Sequence, residues 1–447
     1  MSMKPVLLWS DMLILVLLAL VVAGVWLLRH NETFRAPLRQ VLARPLGAAT
    51  ALVLGVYVAI GLLDSVHYVE RLPDGPRGEA QYSGEVLSAL DALLTPLRER
   101  VEKTYSAPFA THLYAKETLT GPDGRQVRDY PRLVHGGAHL ADTDQEFWGD
   151  VLLRGGLGAL GGVIAWLLCF PLWKNRPAGR PFALTLLVTL VVLGLLVALA
   201  PHYHVLGTDK VGQDVLYLSL KSVRTGLLIG TLTTLVVLPL AIGLGIAAGY
   251  FGGRVDDLIQ YLYTTLNSIP GVLLIAAAVL VVQVQIETHP DLFATAAART
   301  DVRLLALCAI LGLTGWTGLA RLLRAEALKL RELEFVQAAR AFGVTRARIL
   351  VRHLLPNVMH LVLISLVIDF SGLVLAEAVL SYVGVGVDPA MISFGNMING
   401  ARLELAREPV VWWQLAAAFL FMFVLVLAAN LFADTVRDAL DPRGSRP

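Results

Sequence analysis

The chain has 447 residues, 56% of them hydrophobic and 16% charged, with a mean hydropathy of +0.65. A chain so apolar at this length is neither an ordinary soluble domain nor a disordered polymer, and a polytopic membrane protein is expected. The formal net charge of +2 gives no reason to expect a nucleic-acid partner, and the two cysteines, Cys169 and Cys308, both inside hydrophobic runs, exclude a disulfide framework and a cysteine-based metal cluster.

Apolar runs of roughly 20 residues, enough to cross a bilayer core, give nine candidate spans near 6–28, 45–63, 152–172, 181–200, 225–250, 257–283, 303–323, 357–385 and 412–433. The first has only Lys4 before it and no small-residue cleavage site before Arg29, so a retained helix is expected rather than a leader. Arg29, Arg35, Arg39 and Arg44 follow the first span, and Lys174, Arg176 and Arg180 follow the third. With the basic loop after the seventh span, these place the N-terminus outside and the C-terminus inside, where Arg437, Arg443 and Arg446 lie. Asp209, Asp214, Glu287, Asp291, Asp301 and Asp388 then fall outside.

Between the second and third spans lies a polar insertion, 64–150, with fifteen acids and nine bases. Its Pro and Gly clusters LPDGPRGE and TGPDGRQ are expected to be turns, and Ser88 to Tyr105 a helix. An insertion of about this size buries only a small core, so it is expected to lean on neighbouring outer loops. His135 and His139 have helical spacing and His202 lies two residues from His204, yet neither pair has a carboxylate at motif spacing, so no metal site is assigned. Gly155, Gly156, Gly158, Gly161 and Gly162 in the third span point to close helix packing.

The segment from Arg324 to Asn357 is the most informative. Between Arg321 and Arg352 there are eight Lys or Arg against three acids, which places this loop in the cytoplasm. Read as a helix, Leu328, Leu330, Leu333, Val336, Ala339 and Phe342 fall mostly on one side. Gly343 is expected to end the helix, and a second short helix, about Thr345 to His353, to lead to Pro356 at the start of the next span. Taken alone, a basic amphipathic helix also fits one lying on the inner membrane surface. In the eighth span Asp369 and Glu377 stand eight residues apart near one helix face; buried in a bilayer, both are expected to face protein or a water-filled path.

Gln337-Ala338-Ala339, then Gly343, then Leu355-Pro356 resembles the loop by which permease subunits of bacterial ABC importers hold their ATPase. The spacings are kept, with Gln337 where that family has Glu and His353 where it has Ile. LGTDKVGQDVL (206–216), AGYFGGRVDDL (248–258), EAVLSYVGVGV (377–387) and DALDPR (438–443) resemble further motifs of the oligopeptide, dipeptide and nickel permease branch, C-type subunit; Gln213 replaces its usual Arg.

That resemblance covers about 181–447. It implies an all-α integral membrane protein: a six-helix importer transmembrane domain preceded by an N-terminal extension, 1–180, with about three spans and the outer insertion. It implies a bacterial cytoplasmic-membrane subunit for peptides or peptide-like solutes, with Glu334, Gln337, Ala338, Ala339, Gly343, Leu355 and Pro356 in ATPase coupling and Asp369 and Glu377 as candidates for the path. It implies as partners a B-type permease, two cytoplasmic ATP-binding subunits, an extracytoplasmic binding protein and membrane lipid. No cofactor is expected on this chain, and ATP is used by the partners. The chain carries no Gly-Lys-Ser/Thr phosphate loop, no His-Glu-x-x-His and no Gly-x-Ser-x-Gly, so it is not expected to be an enzyme. The competing readings are a proton-coupled secondary transporter using Asp369 and Glu377, and a receptor sensing through the insertion.

Overall fold

A computed structural model describes residues 4–29, 32–72, 81–120, 126–174, 178–293 and 295–440. Arg176, Arg443 and Arg446, most of the LPDGPRGE and TGPDGRQ clusters and the end of DALDPR lie outside the described residues, as does the side chain of Arg35.

In chain order the elements are β1 (Lys4–Val6), α1 (Trp9–Leu28), α2 (Glu32–Ala43), α3 (Pro45–Asp64), β2 (His67–Val69), β3 (Leu87–Ser88), α4 (Ala89–Leu93), α5 (Thr95–Arg98), β4 (Glu117–Thr120), β5 (Gln126–Asp129), α6 (Thr143–Leu168), α7 (Phe170–Trp173) and α8 (Gly179–Leu199). There follow α9 (Val215–Phe251), α10 (Gly253–Ser268), α11 (Gly271–Thr288), α12 (Ala296–Gly315), α13 (Thr317–Arg331), α14 (Glu334–Ala341), α15 (Arg346–Ile349), α16 (Leu355–Val383), α17 (Phe394–Arg402) and α18 (Trp413–Leu440). Among the described residues nine helical stretches are long and apolar enough to cross a membrane. The sixth starts at Gly271, not 257: the chain is extended at Ile269-Pro270, and the residues before it form the separate helix α10. Pro270 has no amide donor with which to continue α10, and Asp256, Asp257 and Gln260 give that helix a polar side.

Contacts divide the chain into two compact units. One comprises Met1–Leu7, Arg39–Gly226 and Pro389–Ala428; the other comprises Leu8–Leu38, Leu227–Asp388 and Ala429–Pro447.

In the first unit α8 packs on α6 and α3. A Cβ on Gly158 would lie 2.4 Å from the carbonyl oxygen of Gly194, and one on Gly162 2.5 Å from that of Leu190, so the two backbones touch. Lipid chains are as apolar as leucine, and such close contact is what holds helices together in a bilayer. Gly156 and Gly161 have no neighbour within 4 Å, so the expectation of packing does not extend to them.

The insertion's strands β2 and β3 join the N-terminal β1 in a three-stranded antiparallel sheet, order β1-β2-β3, and β4 and β5 form a hairpin. The expected helix from Ser88 to Tyr105 is shorter and broken. Ser88 and Asp91 form a reciprocal cap at α4, the chain turns at Leu94, Pro96 sits in the first turn of α5, and the helix ends at Arg98. Beyond it Glu102 is free to accept the N–H groups of Val134, His135 and Gly136 at 2.9, 2.7 and 3.1 Å. As expected, the insertion leans on a neighbouring loop, residues 202–214.

In the second unit α1 packs on α12, where Ser10 donates from its N–H at 3.0 Å and from its hydroxyl to the carboxylate of Asp301. The C-terminal half of α9 lies close against α13: a Cβ on Gly245 would be 2.7 Å from the Ala320 carbonyl oxygen and one on Gly249 2.5 Å from that of Arg324. Val237, Leu323, Val336, Ile349, Leu354 and Val358 bury together in this unit's core.

Candidate coupling loop and polar residues of the spans

The expected single helix running from Leu328 through Phe342 to its end at Gly343 is not continuous. The chain breaks at Glu332-Leu333, where Leu333 is extended, and restarts as α14. Gln337 bridges this elbow: its Nε2 donates to the Glu332 carbonyl at 3.0 Å, satisfying an acceptor at the end of α13. An ionised glutamate at that position could not donate.

Val336 and Ala339 of α14 are buried and pack in one cluster with Ile349 and Leu354. Glu334, Gln337 and Ala338 are exposed. The expected single-sided apolar face is therefore divided: Leu330, Val336 and Ala339 turn inward, but Leu333 is 45% and Phe342 88% exposed.

Gly343 has φ 74°. Its N–H donates to the Arg340 carbonyl at 3.0 Å, and that of Val344 to the Ala339 carbonyl at 3.1 Å, the paired bonds of a left-handed helix cap. Nothing lies within 4 Å of the place a Cβ would take, so the demand for glycine there is conformational and not steric.

The second short helix is not a separate element. After α15 the chain makes a wider π turn over Leu350–Leu354 and continues directly into α16. Pro356, exposed in the first turn of α16, lacks an amide donor, and the Asn357 side chain donates to the His353 carbonyl at 2.6 Å. Leu355 is half-buried beside it.

Two contacts near this loop had no signal in the sequence. Arg324 grips Asp256 with Nε and Nη2, at 2.5 and 2.6 Å, and Arg331 Nη1 donates to the Gly249 carbonyl at 3.3 Å. Nothing in the AGYFGGRVDDL turn says which of its two aspartates meets which arginine, because the partners lie 68 residues apart.

In α16 Glu377 is buried and accepts from the Ser381 hydroxyl at 2.8 Å. Gly384, at φ 86°, caps the helix, and a Cβ on Gly386 would fall 1.9 Å from Ser381 Oγ. Glu377 thus belongs to the folded end of the EAVLSYVGVGV segment. Asp369 is half-buried, and eight residues of helix rise separate it from Glu377 by about 12 Å, so the two carboxylates do not meet.

Two of these histidines, His139 and His204, have carboxylate partners that spacing did not show. His139 Nε2 meets Asp150 at 2.8 Å, and His204 meets Asp214 at 2.8 Å and Glu102 at 3.4 Å. Arg154 sits 2.8 Å from His202 Nε2, a cation where a metal would need a free lone pair. Among the described residues no group of three His, Cys, Asp or Glu is placed to hold a metal ion.

With long apolar helices, a capped amphipathic loop helix and buried polar residues in the spans, the chain has the parts of a membrane conduit. It belongs to the family described as binding-protein-dependent transport system inner membrane component, whose model matches residues 241–446. It is therefore a multi-pass inner-membrane permease subunit of an ABC importer. The oligopeptide transport system permease protein OppC of Mycobacterium tuberculosis (strain ATCC 25618 / H37Rv) is 32% identical over 239 residues, 54% of this chain and 76% of that protein. The dipeptide transport system permease protein DppC of Lactococcus lactis subsp. cremoris is 31% identical over 242 residues, 54% of this chain and 64% of that protein. OppC of Bacillus subtilis is 26% identical over 295 residues, 61% and 90% of the two chains. Among solved structures, one of the MetNI methionine ABC transporter in inward-facing conformations shares 16% identity over 50% of this chain and 97% of that one, at a TM-score of 0.37.

Proposed function

We propose that this chain is the C-type permease of an importer for peptides or peptide-like solutes, with the importer transmembrane domain at 181–447 and an N-terminal extension at 1–180. It pairs with a B-type permease, two cytoplasmic ATPases dock on the loops of the pair, and an extracytoplasmic binding protein delivers the cargo. The peptide assignment rests on the relatives named above. ATP is hydrolysed by the partners, and this chain transmits the resulting motion.

The observation that carries the coupling role is the form of α14. Its inner face is anchored by Val336 and Ala339, while Glu334, Gln337, Ala338 and the 88% exposed Phe342 point away from the core. A short helix pinned on one side, capped at Gly343 and joined through α15 to the turn at Leu355 and Pro356, turns a push on its outer side into a displacement of α16. Asp369 and Glu377, both on α16, are our candidates for the path.

The test is a pull-down of the tagged chain from mild detergent, with and without Gly343→Asp, followed by uptake in vesicles. Aspartate at 343 meets no neighbour and bears only the conformational cost of the left-handed backbone, which Asp tolerates better than most residues, so membrane insertion of the variant is checked alongside, while a carboxylate is added at the end of α14. Recovery of an ATPase and a second permease, lost in the variant along with ATP-driven uptake, is expected. A chain that purifies alone and drives uptake with a proton gradient would overturn the reading in favour of a secondary transporter.

A further inference from the structure

The loop before α9 is covered by the insertion and held to it by charge. Lys221, in the second turn of α9, places its Nζ 2.7 Å from Asp64 at the end of α3 and 2.9 Å from Asp91 in α4. Ser88 donates to Asp64 at 2.6 Å, and the Tyr217 hydroxyl donates to the other oxygen of Asp91 at 2.8 Å. One lysine and two carboxylates, each nearly shielded from water, thus join three separate elements.

A second knot lies in the loop itself. Both ring nitrogens of His204 face carboxylates, Asp214 on one side and Glu102 on the other, and all three side chains are at most 3% exposed. Two acceptors opposite the two ring nitrogens suit the doubly protonated imidazolium. Around it the chain segments are in backbone contact. Glu102 N–H donates to the Gly212 carbonyl at 2.9 Å and Thr208 N–H to the Ser106 carbonyl at 3.0 Å. A Cβ on Gly212 would fall 1.8 Å from the Glu102 carbonyl oxygen.

We propose that Asp91 and Glu102 of the insertion are positioning residues for transport, which through Lys221 and His204 fix the N-terminal end of α9 to the insertion so that the two move as one body. This rests on the transport reading above and adds a part to it: a partner that pushes on the insertion thereby acts on a membrane-spanning helix. Buried ion pairs contribute little net stability compared with apolar packing but strongly resist separation, because separation leaves a charge without a partner. Two of them, joining the same two bodies, suit transmission of motion better than mere adhesion.

The test uses the assembled transporter, with Cys169 and Cys308 replaced by alanine. Ser106 Oγ and Thr208 Oγ1 are 3.1 Å apart, close enough for Ser106→Cys with Thr208→Cys to form a disulfide across the seam. Expected is ATP-driven uptake by the oxidised form within about twofold of the reduced form, since a lock between parts that never separate costs no motion. Uptake that stops on oxidation and returns with reductant would show that the insertion leaves α9 during the cycle, and would overturn the proposal. Hydrogen exchange gives a readout independent of transport. Lys221→Met is expected to speed exchange in α4 and in the first turns of α9 together, by roughly a hundredfold, and Lys221→Arg to restore most of the protection. Faster exchange in the insertion alone, with α9 still protected, would equally overturn it. Absence of ATP-driven uptake by the unsubstituted assembly speaks against the transport reading instead, and the exchange measurement still decides whether the two parts form one body.

Discussion

The carboxylate of Asp256 receives both Nε and Nη2 of Arg324, at 2.5 and 2.6 Å, and so fastens the first turn of α10 to α13. That bond holds Asp256 below the usual carboxylate range, with partial burial opposing it. A bidentate fork is geometry as well as charge. Arg324→Lys is therefore expected to lose about 1 kcal/mol of stability despite keeping the charge. Thermal unfolding in detergent checks this, and Asp256→Asn combined with Arg324→Lys should cost little more than either alone.

Gln337 offers a direct comparison with the family pattern. Gln337→Glu restores the usual acid but removes the donor to the Glu332 carbonyl. We expect a loss of about 1 kcal/mol and a looser elbow between α13 and α14. Faster hydrogen exchange at 332–337 is the measurement, and an unchanged rate would show that the bond is dispensable.

At Gly343 the positive φ with open space around it sets an order among substitutions. Gly343→Ala is expected to cost roughly 1–2 kcal/mol and Gly343→Asn less, because asparagine tolerates the left-handed region. The stability ranking Gly, Asn, Ala, read by unfolding, tests the cap; a bulk-driven ranking would contradict it.

The α6 and α8 backbones touch at Gly158 and Gly162, whereas a Cβ on Gly156 or Gly161 would meet open space. Gly158→Leu is expected to separate the helices and cost several kcal/mol, on the order of an overpacked core at its upper end. Gly156→Ala and Gly161→Ala should be neutral or slightly favourable through helix propensity. Expression level and melting of the four proteins, wild type included, decide it.

His204 gives the insertion a pH signature. Burial opposes its charge, but the bonds to Asp214 and Glu102 outweigh this and raise its pKa from 6.5 to about 9. A raised pKa contributes stability fully below about 6.5, lost as the pH climbs through about 9, at most about 3 kcal/mol in all. Glu102 moves the other way: burial would raise it, yet the His204 bond and the backbone donors lower it from 4.5 to about 2, so its contribution is present above about 4.5 and lost as the pH falls from there through about 2. Exchange protection of residues 102–106 is thus expected to fall between pH 7 and 9.5, and His204→Gln to flatten that profile. A profile unchanged by the substitution would remove His204 as its source.

Much was legible because it depends on neighbours in sequence. Among the described residues the number and rough position of the spans followed from apolar runs, though several helices run well beyond them, and the glycine at 343 from the need for a left-handed residue after an amphipathic helix. The breaks were not legible. The polar first turn of α10 was read as part of a span, because hydropathy averages over a window that hides Pro270. Beyond the stop at Arg98, Glu102 reaches backbone donors more than thirty residues away, a contact that no local pattern encodes. Among the loop residues, inward Ala339 and outward Ala338 are chemically identical, and only packing separates them.

The sequence by itself determined that this protein lives in a membrane, because the free energy of apolar groups in lipid depends on the residues alone, and its loop charges set the expectation that the basic loop and the polar insertion face opposite sides. Which charge meets which was decided only by the tertiary structure. Asp256 with Arg324, Lys221 with Asp64 and Asp91, and His204 with Glu102 and Asp214 are pairs that, with the exception of His204 and Asp214, are distant in the chain. Charge–charge attraction is strong enough to matter only after packing has excluded water and brought such groups within hydrogen-bond reach.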